Sequence, residues 1–384
     1  MSKFLEARLA VSGMFFLNGL MVGSWAPKVP VVMDRLNISE SVMGLLVLCL
    51  GIGSVLMMPV FGGLVARRGS VFAVRLGAVL LTPALLLISL APNPWIAGLA
   101  IAWFGASMGG MDVAMNANAV SVERGWKRAI MSSCHGFWSL GGLVGAGLGG
   151  VALAKLGEIG HAVAVTAVVA AGLALLWHRL LQDAPEAGAG GHVPLRLPRS
   201  PLPYVIGLVA LCCMIPEGAI LDWAAVYLRR ELGASLSMAG LGFAACAGTM
   251  AVMRFLGDLI RQRLGAVTTL RISAVIAIAG LAVAGFAPSP WAAIIGFGIA
   301  GVGLANMVPI AFSAAGNLPG LGHGIGLSVV TTMGYSGILL APGSIGFLAE
   351  KLSFATIFVG LAVLLLLPLA LSRLAGTADF DGGH

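Results

Sequence analysis

The stretch APNPW at residues 91–95 recurs as APSPW at residues 287–291, 196 positions later. At the same spacing, Arg75 corresponds to Arg271. Several distant matches near one spacing are hard to obtain by chance, even in a chain of biased composition. The sequence therefore predicts that the two halves of the chain are copies of one unit.

The composition places both copies in a membrane. Of the 384 residues, 59% are hydrophobic and 10% are charged, whereas a soluble domain carries about 25% charged residues. An ordinary cytosolic enzyme, a disordered protein and a small disulfide scaffold are thereby excluded. Apolar runs follow one another along the chain, and each is long enough for a helix that crosses the bilayer. The runs cover residues 8–31, 41–65, 71–91, 93–121, 129–155, 160–181, 203–228, 237–260, 267–287, 291–317, 324–349 and 353–373.

These runs predict an all-α integral membrane protein with twelve transmembrane helices in two six-helix bundles, because irregular backbone cannot face lipid. The N-terminal bundle is expected over residues 1–181 and the C-terminal bundle over residues 203–384. A linker rich in Pro, Gly and Ala joins them at residues 182–202. Six is an even number, so both copies have one orientation and are related by an axis along the membrane normal.

The positive residues orient the chain, because Lys and Arg collect in cytoplasmic loops. With both termini inside, most of the 22 Lys and Arg residues lie on the inner side, so both termini are expected to be cytoplasmic. The same bias accounts for the net charge of +7 without a nucleic-acid partner, since no basic stripe is present. The cations left on the outer side are Lys28, Arg35, Lys155, Arg229, Arg230 and Lys351.

A short loop after the second run carries a family motif. Gly62, Leu64, Arg67 and Gly69 match the signature loop of the major facilitator superfamily, which the chain resembles over its whole length. Ala66 stands where that loop usually has an acidic residue. Within the superfamily, the segment from Glu217 to Trp223 looks like bacterial inner-membrane permeases of the rhizopine-transporter and fucose:proton symporter kind.

The resemblance implies a multi-pass protein of the bacterial inner membrane that works by alternating access around a central cavity. It also implies that helices 1, 4, 7 and 10 line the cavity, while helices 3, 6, 9 and 12 face lipid. The polar residues of the runs agree with that map, because a polar side chain within hydrocarbon is expected to face a cavity or the bundle interior. The sixth and twelfth runs are nearly free of them.

The candidate substrate-binding residues lie on the four cavity-lining helices, apart from one aromatic residue on the fifth. Asp112 and Asn116 are four residues apart and share a helix face, which either faces substrate or only ties helices together. Trp25 and Trp223 occupy related repeat positions and fit either the wall of the path or the outer interface. The full set comprises Asn18, Trp25, Asp112, Asn116, Trp138, Glu217, Asp222, Trp223 and Asn306.

Three carboxyls are candidates for proton coupling, namely Glu217, Asp222 and Asp112. A carboxyl that is neutral when buried and charged when exposed can couple proton movement to alternating access. Glu217 and Asp222 are about 140° apart around a helix, so one is expected to face the cavity and the other a neighbouring helix. Arg254 is a fixed counter-charge, paired either with Asp258 or with a carboxyl across the bundle.

The sequence thus predicts a secondary active transporter of a small polar solute, such as a sugar, a polyol or an amine, that is coupled to protons. The alternative is a proton-coupled efflux pump for amphipathic drugs. An enzyme is not expected, because no nucleophile constellation or phosphate loop is present. The expected partners are the solute, protons and the lipid bilayer, and the protein is expected to be a monomer. No cofactor, metal or nucleic acid is implied.

Overall fold

The computed structural model describes residues 3–126, 130–183, 199–316, 318 and 323–378. Within these residues the chain forms helices and no strand. The N-terminal half contains α1 (Lys3–Trp25), α2 (Lys28–Leu36), α3 (Glu40–Arg68), α4 (Ser70–Leu81), α5 (Ala84–Leu90), α6 (Pro94–Trp126) and α7 (Met131–Leu176). The C-terminal half contains α8 (Leu202–Arg230), α9 (Leu241–Leu264), α10 (Ala266–Gly285), α11 (Pro290–Gly316), α12 (His323–Ala349), α13 (Phe354–Leu364) and α14 (Leu366–Ala370), with short 3₁₀ turns at Leu236–Met238 and Ser372–Ala378.

Ten of these segments are long and apolar enough to cross a membrane, and the bent segment from Phe354 to Ala378 makes eleven. The twelfth crossing comes from α7, whose 46 residues would be about 70 Å long if straight, twice the thickness of the hydrocarbon. The backbone of Gly157 has φ 72° and ψ 178° and breaks α7 there. The predicted fifth and sixth runs are therefore two crossings joined at one residue, and the all-α fold in two bundles is confirmed.

Prolines set two boundaries that the apolar runs missed. The last run, expected to be one helix over 353–373, is divided at Leu365. Pro368 has no N–H to donate to the carbonyl oxygen of Leu364, and its ring would clash with that carbonyl in a continuous helix. The first run, expected to reach residue 31, ends instead at Trp25. Pro27 directly precedes the separate helix α2, which begins at Lys28. This short helix lies at the end of the crossing and, as shown below, connects the two bundles.

The two halves pack alike, as the repeat predicts. In the N-terminal bundle α1 packs on α7 and α3 packs on α6, and the equivalent pairs in the C-terminal bundle are α8 with α12 and α9 with α11. The bundles meet along two further pairs, α7 with α9 and α3 with α12. We call the side of the molecule that carries the start of α1 and the last 3₁₀ turn the terminal face, and the other side the opposite face.

The four helices that were expected to be central are the most buried. The spans within α1, α6, α8 and α11 are 56–72% buried in the protein, whereas each of the other spans is 50% buried or less. These are crossings 1, 4, 7 and 10. Their polar side chains are therefore shielded from lipid by the surrounding helices.

Close helix approach depends on glycines where two helices cross. A Cβ atom built on Gly141 of α7 would collide with the carbonyl oxygen of Phe16 on α1, and one on Gly105 of α6 would collide with that of Leu50 on α3. Any larger residue would force these helices apart. The glycine seams thus determine how tightly each bundle packs.

The signature loop is a single-residue break between α3 and α4 at Gly69, whose φ of 81° favours glycine. Gly265 breaks α9 from α10 with φ 74° at the related position. The side chain of Asp183 accepts a hydrogen bond from the backbone N–H of Ser70 at 2.9 Å and another from Ser121 at 3.1 Å. A carboxyl from the end of the sixth crossing thus caps α4, although the loop itself has Ala66 in place of its acidic residue.

Candidate functional site

Two predicted residues of the N-terminal bundle form one hydrogen-bonded pair. The indole Nε1 of Trp138 donates to Oδ1 of Asn18 at 2.9 Å, and the Asn18 amide lies 3.4 Å from the carbonyl oxygen of Met108. Asn18 is buried, while Trp138 is partly exposed. The pair joins α1, α6 and α7 next to the centre of the molecule and holds the indole ring in one orientation.

A second polar group lies on α6 beside it. Asn116 donates to the backbone carbonyl of Asp112 at 2.8 Å, and Nε2 of His135 donates to Oδ1 of Asn116 at 3.2 Å. The predicted polar face of α6 therefore carries a chain of hydrogen bonds that reaches His135 on α7.

Arg254 connects the two bundles. Its guanidinium donates to Ser139 Oγ of α7 at 2.5 Å and forms an ion pair with Glu217 Oε1 of α8 at 3.3 Å. The side chains of Arg254 and Glu217 are 17% and 21% exposed, so the pair is only partly buried. Of the two pairings considered for Arg254, the structure forms the one with a carboxyl on another helix; the side chain of Asp258 lies outside the described residues.

Asp222 forms a second contact between the bundles, nearer the opposite face. Trp25 of α1 donates its Nε1 hydrogen to Asp222 Oδ1 at 3.3 Å, and both side chains are buried. Among the described residues no cation lies within ion-pair distance of Asp222. Glu217 and Asp222 thus face different helices, α9 and α1, from a continuous α8; which of them faces the cavity stays a prediction.

The two remaining predicted residues lie apart from these contacts. Trp223 is fully buried against Phe354 of α13, with ring centroids 5.5 Å apart, and its Nε1 has no partner among the described residues. The side-chain nitrogen of Asn306 also lacks one, and this residue lies against Gly257 of α9. The assignment of Trp223 and Asn306 to the substrate path stays a prediction.

An ion-pair cluster closes the opposite face. Asp34 of α2 contacts Arg229 at 3.0 Å and Arg230 at 3.5 Å, and Arg230 also contacts Glu40 of α3. We call these four residues the latch. Each pair joins the N-terminal bundle to the C-terminal bundle, so the latch holds the bundles together at this face.

Sequence reasoning missed the latch and the role of Ser139. The signal for the latch was present, because Arg229 and Arg230 are exceptions to the inward bias of positive charge. Their acidic partners on α2 and α3 lie about 190 residues away in the chain and could not be assigned from local spacing. Ser139 has no distinguishing sequence context, and only the position of Arg254 reveals its contact.

No metal site is evident in the part of the chain that the structure describes, where no three His, Cys, Asp or Glu side chains lie together as ligands. The five cysteines are free, and four of them are buried. The polar groups at the centre offer hydrogen-bond donors and acceptors together with one compensated ion pair. The described residues thus bring neutral hydrogen-bonding groups and ionisable carboxyls together at the centre.

Comparison with known proteins agrees with this architecture. The model of the Major Facilitator Superfamily matches residues 11–215. An uncharacterized MFS-type transporter of Yersinia pestis is 40% identical over 380 residues, which cover 98% of this chain and 96% of that protein. The membrane protein MosC of Rhizobium meliloti is 32% identical over 377 residues, with 97% and 89% covered.

Solved structures share the fold at low sequence identity. The nucleoside transporter NupG superposes with a TM-score of 0.78 at 13% identity, covering 96% of this chain and 99% of that one. A D-xylose-proton symporter gives a TM-score of 0.74 at 15% identity, with 97% of each chain covered. With a matching family model over more than half of its length and relatives at this identity, the chain belongs to the major facilitator superfamily of membrane transporters.

Proposed function

We propose that the protein is a proton-coupled secondary transporter of a small polar solute, such as a sugar, a polyol or an amine, in the bacterial inner membrane. The observation that carries the proposal is the presence of two carboxyls at the bundle interface in different states of compensation. Glu217 is paired with Arg254 and partly exposed, whereas Asp222 is buried with no cation beside it among the described residues. A D-xylose-proton symporter of the same fold gives a precedent for this class of function.

The state of Asp222 supports coupling to protons. Burying a carboxylate away from water is unfavourable unless a charge or several hydrogen bonds compensate it. The single indole bond from Trp25 is weak compensation. The closed arrangement therefore favours the neutral acid, while separation of α1 from α8 would expose Asp222 to water and allow the proton to leave.

Glu217 and Arg254 provide the second part of the proposed coupling. Arg254 contacts one residue of each bundle, Ser139 and Glu217. Protonation of Glu217 would remove the negative charge that holds the Arg254 side chain against α8. The contact of Arg254 with Ser139 across the interface would therefore depend on whether Glu217 carries a proton. Asp112 is the third proposed proton site. It lies on the polar face of α6 and has no described ion pair.

The substrate class follows from the side chains available. Asn18, Asn116 and His135 offer neutral hydrogen-bonding groups, and Trp138 offers an aromatic face on which a sugar ring can lie. The only described cation at the centre, Arg254, is already paired, so a phosphate ester or dicarboxylate would lack fixed positive charge. A pump for amphipathic drugs is the alternative, and this polar set favours it less.

Transport into proteoliposomes tests the proposal. Sugars, polyols, amines and drugs are first screened for thermal stabilisation of the purified protein at two pH values. With a ligand in hand, Asp222→Asn and Glu217→Gln are each expected to abolish proton-driven accumulation while leaving counterflow. Asp183→Asn is the control, since it makes the same acid-to-amide change away from the interface. Full accumulation in both interface variants would refute proton coupling at these carboxyls.

The orientation is part of the same proposal. The excess of Lys and Arg on the inner side supports a cytoplasmic terminal face. The opposite face would then be periplasmic, and the latch would close the protein against the periplasm. Reporter domains fused after the last residue are expected to be active only if they function in the cytoplasm. Activity of a periplasm-specific reporter at that end would reverse the assignment.

A further inference from the structure

A buried charge cluster ties the short helix α2 to the body of the N-terminal bundle. Nζ of Lys28 is fully buried; it donates to Ser89 Oγ at 2.6 Å and to the backbone carbonyl of Glu158 at 3.0 Å, and lies 3.8 Å from the Glu158 carboxylate. The other end of α2 uses the same carboxylate, because Arg35 donates to Glu158 at 2.8 Å. We call Lys28, Arg35, Ser89 and Glu158 the clamp.

The clamp fixes both ends of α2 with one acid. Lys28 is the first residue of the helix and Arg35 lies in its last turn. Arg35 also donates to the carbonyl oxygens of Ile88, at 2.9 Å, and Ala91 at the end of α5. Glu158 directly follows Gly157, the break between the fifth and sixth crossings. Helix α2 therefore moves with the outer ends of these crossings.

The residue next to Arg35 belongs to the latch. Asp34 is adjacent in the chain and points to the other bundle, where it contacts Arg229 and Arg230. The clamp and the latch are thus on consecutive residues of one short helix. The clamp connects α2 to its own bundle, and the latch connects it to the partner bundle.

We propose that Glu158 is a positioning residue for transport: by holding Lys28 and Arg35 it sets the place of α2, and so allows Asp34 to reach Arg229 and Arg230 when the opposite face closes. In the part of the chain that the structure describes, Glu158 forms no hydrogen bond or ion pair with the polar groups at the centre or with the partner bundle. Its effect on transport is exerted through α2. The inference does not depend on which solute is carried or on proton coupling.

The physical reason is the burial of Lys28, since Arg35 is 28% exposed. Lys28 has no exposure to water, so without Glu158 its ammonium group would keep only neutral hydrogen-bond partners. An uncompensated buried charge is strongly unfavourable, and it is relieved when the helix end moves toward water. Removing the carboxylate is thus expected to release α2 outward, which withdraws Asp34 from the other bundle.

Distances between the bundles at the opposite face test this inference. Spin labels are placed at Trp95→Cys and Trp291→Cys, which are exposed, repeat-related and located at the outer ends of α6 and α11. The background carries Cys49→Ser, since the other four cysteines are buried. In Glu158→Gln the population with the longer distance is expected to increase at least threefold over the parent.

Two further variants separate a positioning role from a structural one. Asp183→Asn removes a capping carboxyl at the terminal face, and it is expected to lower the melting temperature without changing the Trp95–Trp291 label distances. Arg35→Gln weakens the clamp but leaves Lys28 paired, and is expected to increase the longer distance by a smaller factor than Glu158→Gln. Arg35→Gln also tests the inference if the Glu158→Gln variant does not fold.

The inference is overturned if the clamp variants lower the melting temperature, as Asp183→Asn does, while the distance distribution stays that of the parent. Such a result would assign Glu158 to stability alone. Loss of accumulation with an unchanged distance distribution would also contradict it. If proton coupling fails its own test while Glu158→Gln still opens the opposite face, only the proposed coupling is lost.

Discussion

Removing Asp34 tests whether the latch controls the closed state. The variant Asp34→Ala loses the contacts to Arg229 and Arg230, at 3.0 and 3.5 Å, but keeps the contact between Arg230 and Glu40. Asp34 is 52% exposed, so both pairs are screened by water and each contributes about 0.2–1 kcal/mol. Together they stabilise the closed opposite face by about 0.4–2 kcal/mol, and their loss is expected to shift the equilibrium toward the open face about 2- to 30-fold.

The assay is the distance distribution between spin labels at Trp95→Cys and Trp291→Cys. The shift caused by Asp34→Ala is expected to be large in low salt and to diminish in high salt, because the Debye length falls from about 10 Å at 0.1 M to about 3 Å at 1 M. The parent protein is expected to open somewhat as salt rises. Lys155→Ala is the control, since it changes an exposed charge of this face that forms no described ion pair.

Two results would refute the reasoning. If Asp34→Ala leaves the distribution unchanged in low salt, the ion pairs do not hold the closed state. If the shift is equally large at 1 M salt, its cause is not the screened attraction between these charges, and loss of packing by α2 would be the better account.

Three further predictions concern other parts of the molecule. Gly141→Val is expected to lower stability by about 1–3 kcal/mol in thermal unfolding, since the new side chain meets the backbone of α1, whereas Gly63→Ala, which faces open space, leaves it unchanged. Asn18→Ala removes the partner of the Trp138 indole and is expected to raise KM for the solute; an unchanged KM would remove this pair from the substrate path. Hydrogen bonds with Ser41 and Ser39 hold the pKa of Glu350 below its ordinary value. The closed opposite face is therefore stabilised at a pH above that ordinary pKa, and this stabilisation is lost as the pH falls through the lowered pKa. Glu350→Gln is expected to abolish the pH dependence of the label distances.

Position in the membrane could be predicted well from the sequence. Each crossing must be apolar over its own length, so the runs are visible without knowledge of their neighbours. The exceptions were local backbone breaks. Gly157 joins two crossings in one continuous segment, and Pro368 divides the last one; both depend on the conformation of a single residue rather than on hydropathy.

The candidate site could be predicted only in part. A polar side chain within hydrocarbon is conspicuous in any sequence, which is why Asn18, Glu217 and Asp222 could be singled out. Their partners could not be named, since Trp25 and Asp222 are 197 residues apart and meet only when the bundles assemble. Arg254 shows the same limit, because a nearby Asp258 in the sequence was as plausible a partner as Glu217.

What the sequence alone determined is which segments lie in the bilayer, that they are duplicated, and that the central crossings carry the polar groups. Hydrocarbon imposes these features residue by residue, so they are written locally. What only the tertiary structure decided is which charges compensate one another. Four of the six outer cations, namely Lys28, Arg35, Arg229 and Arg230, are held by Glu158, Asp34 and Glu40, because the energy of a charge in a membrane protein depends on what surrounds it in space.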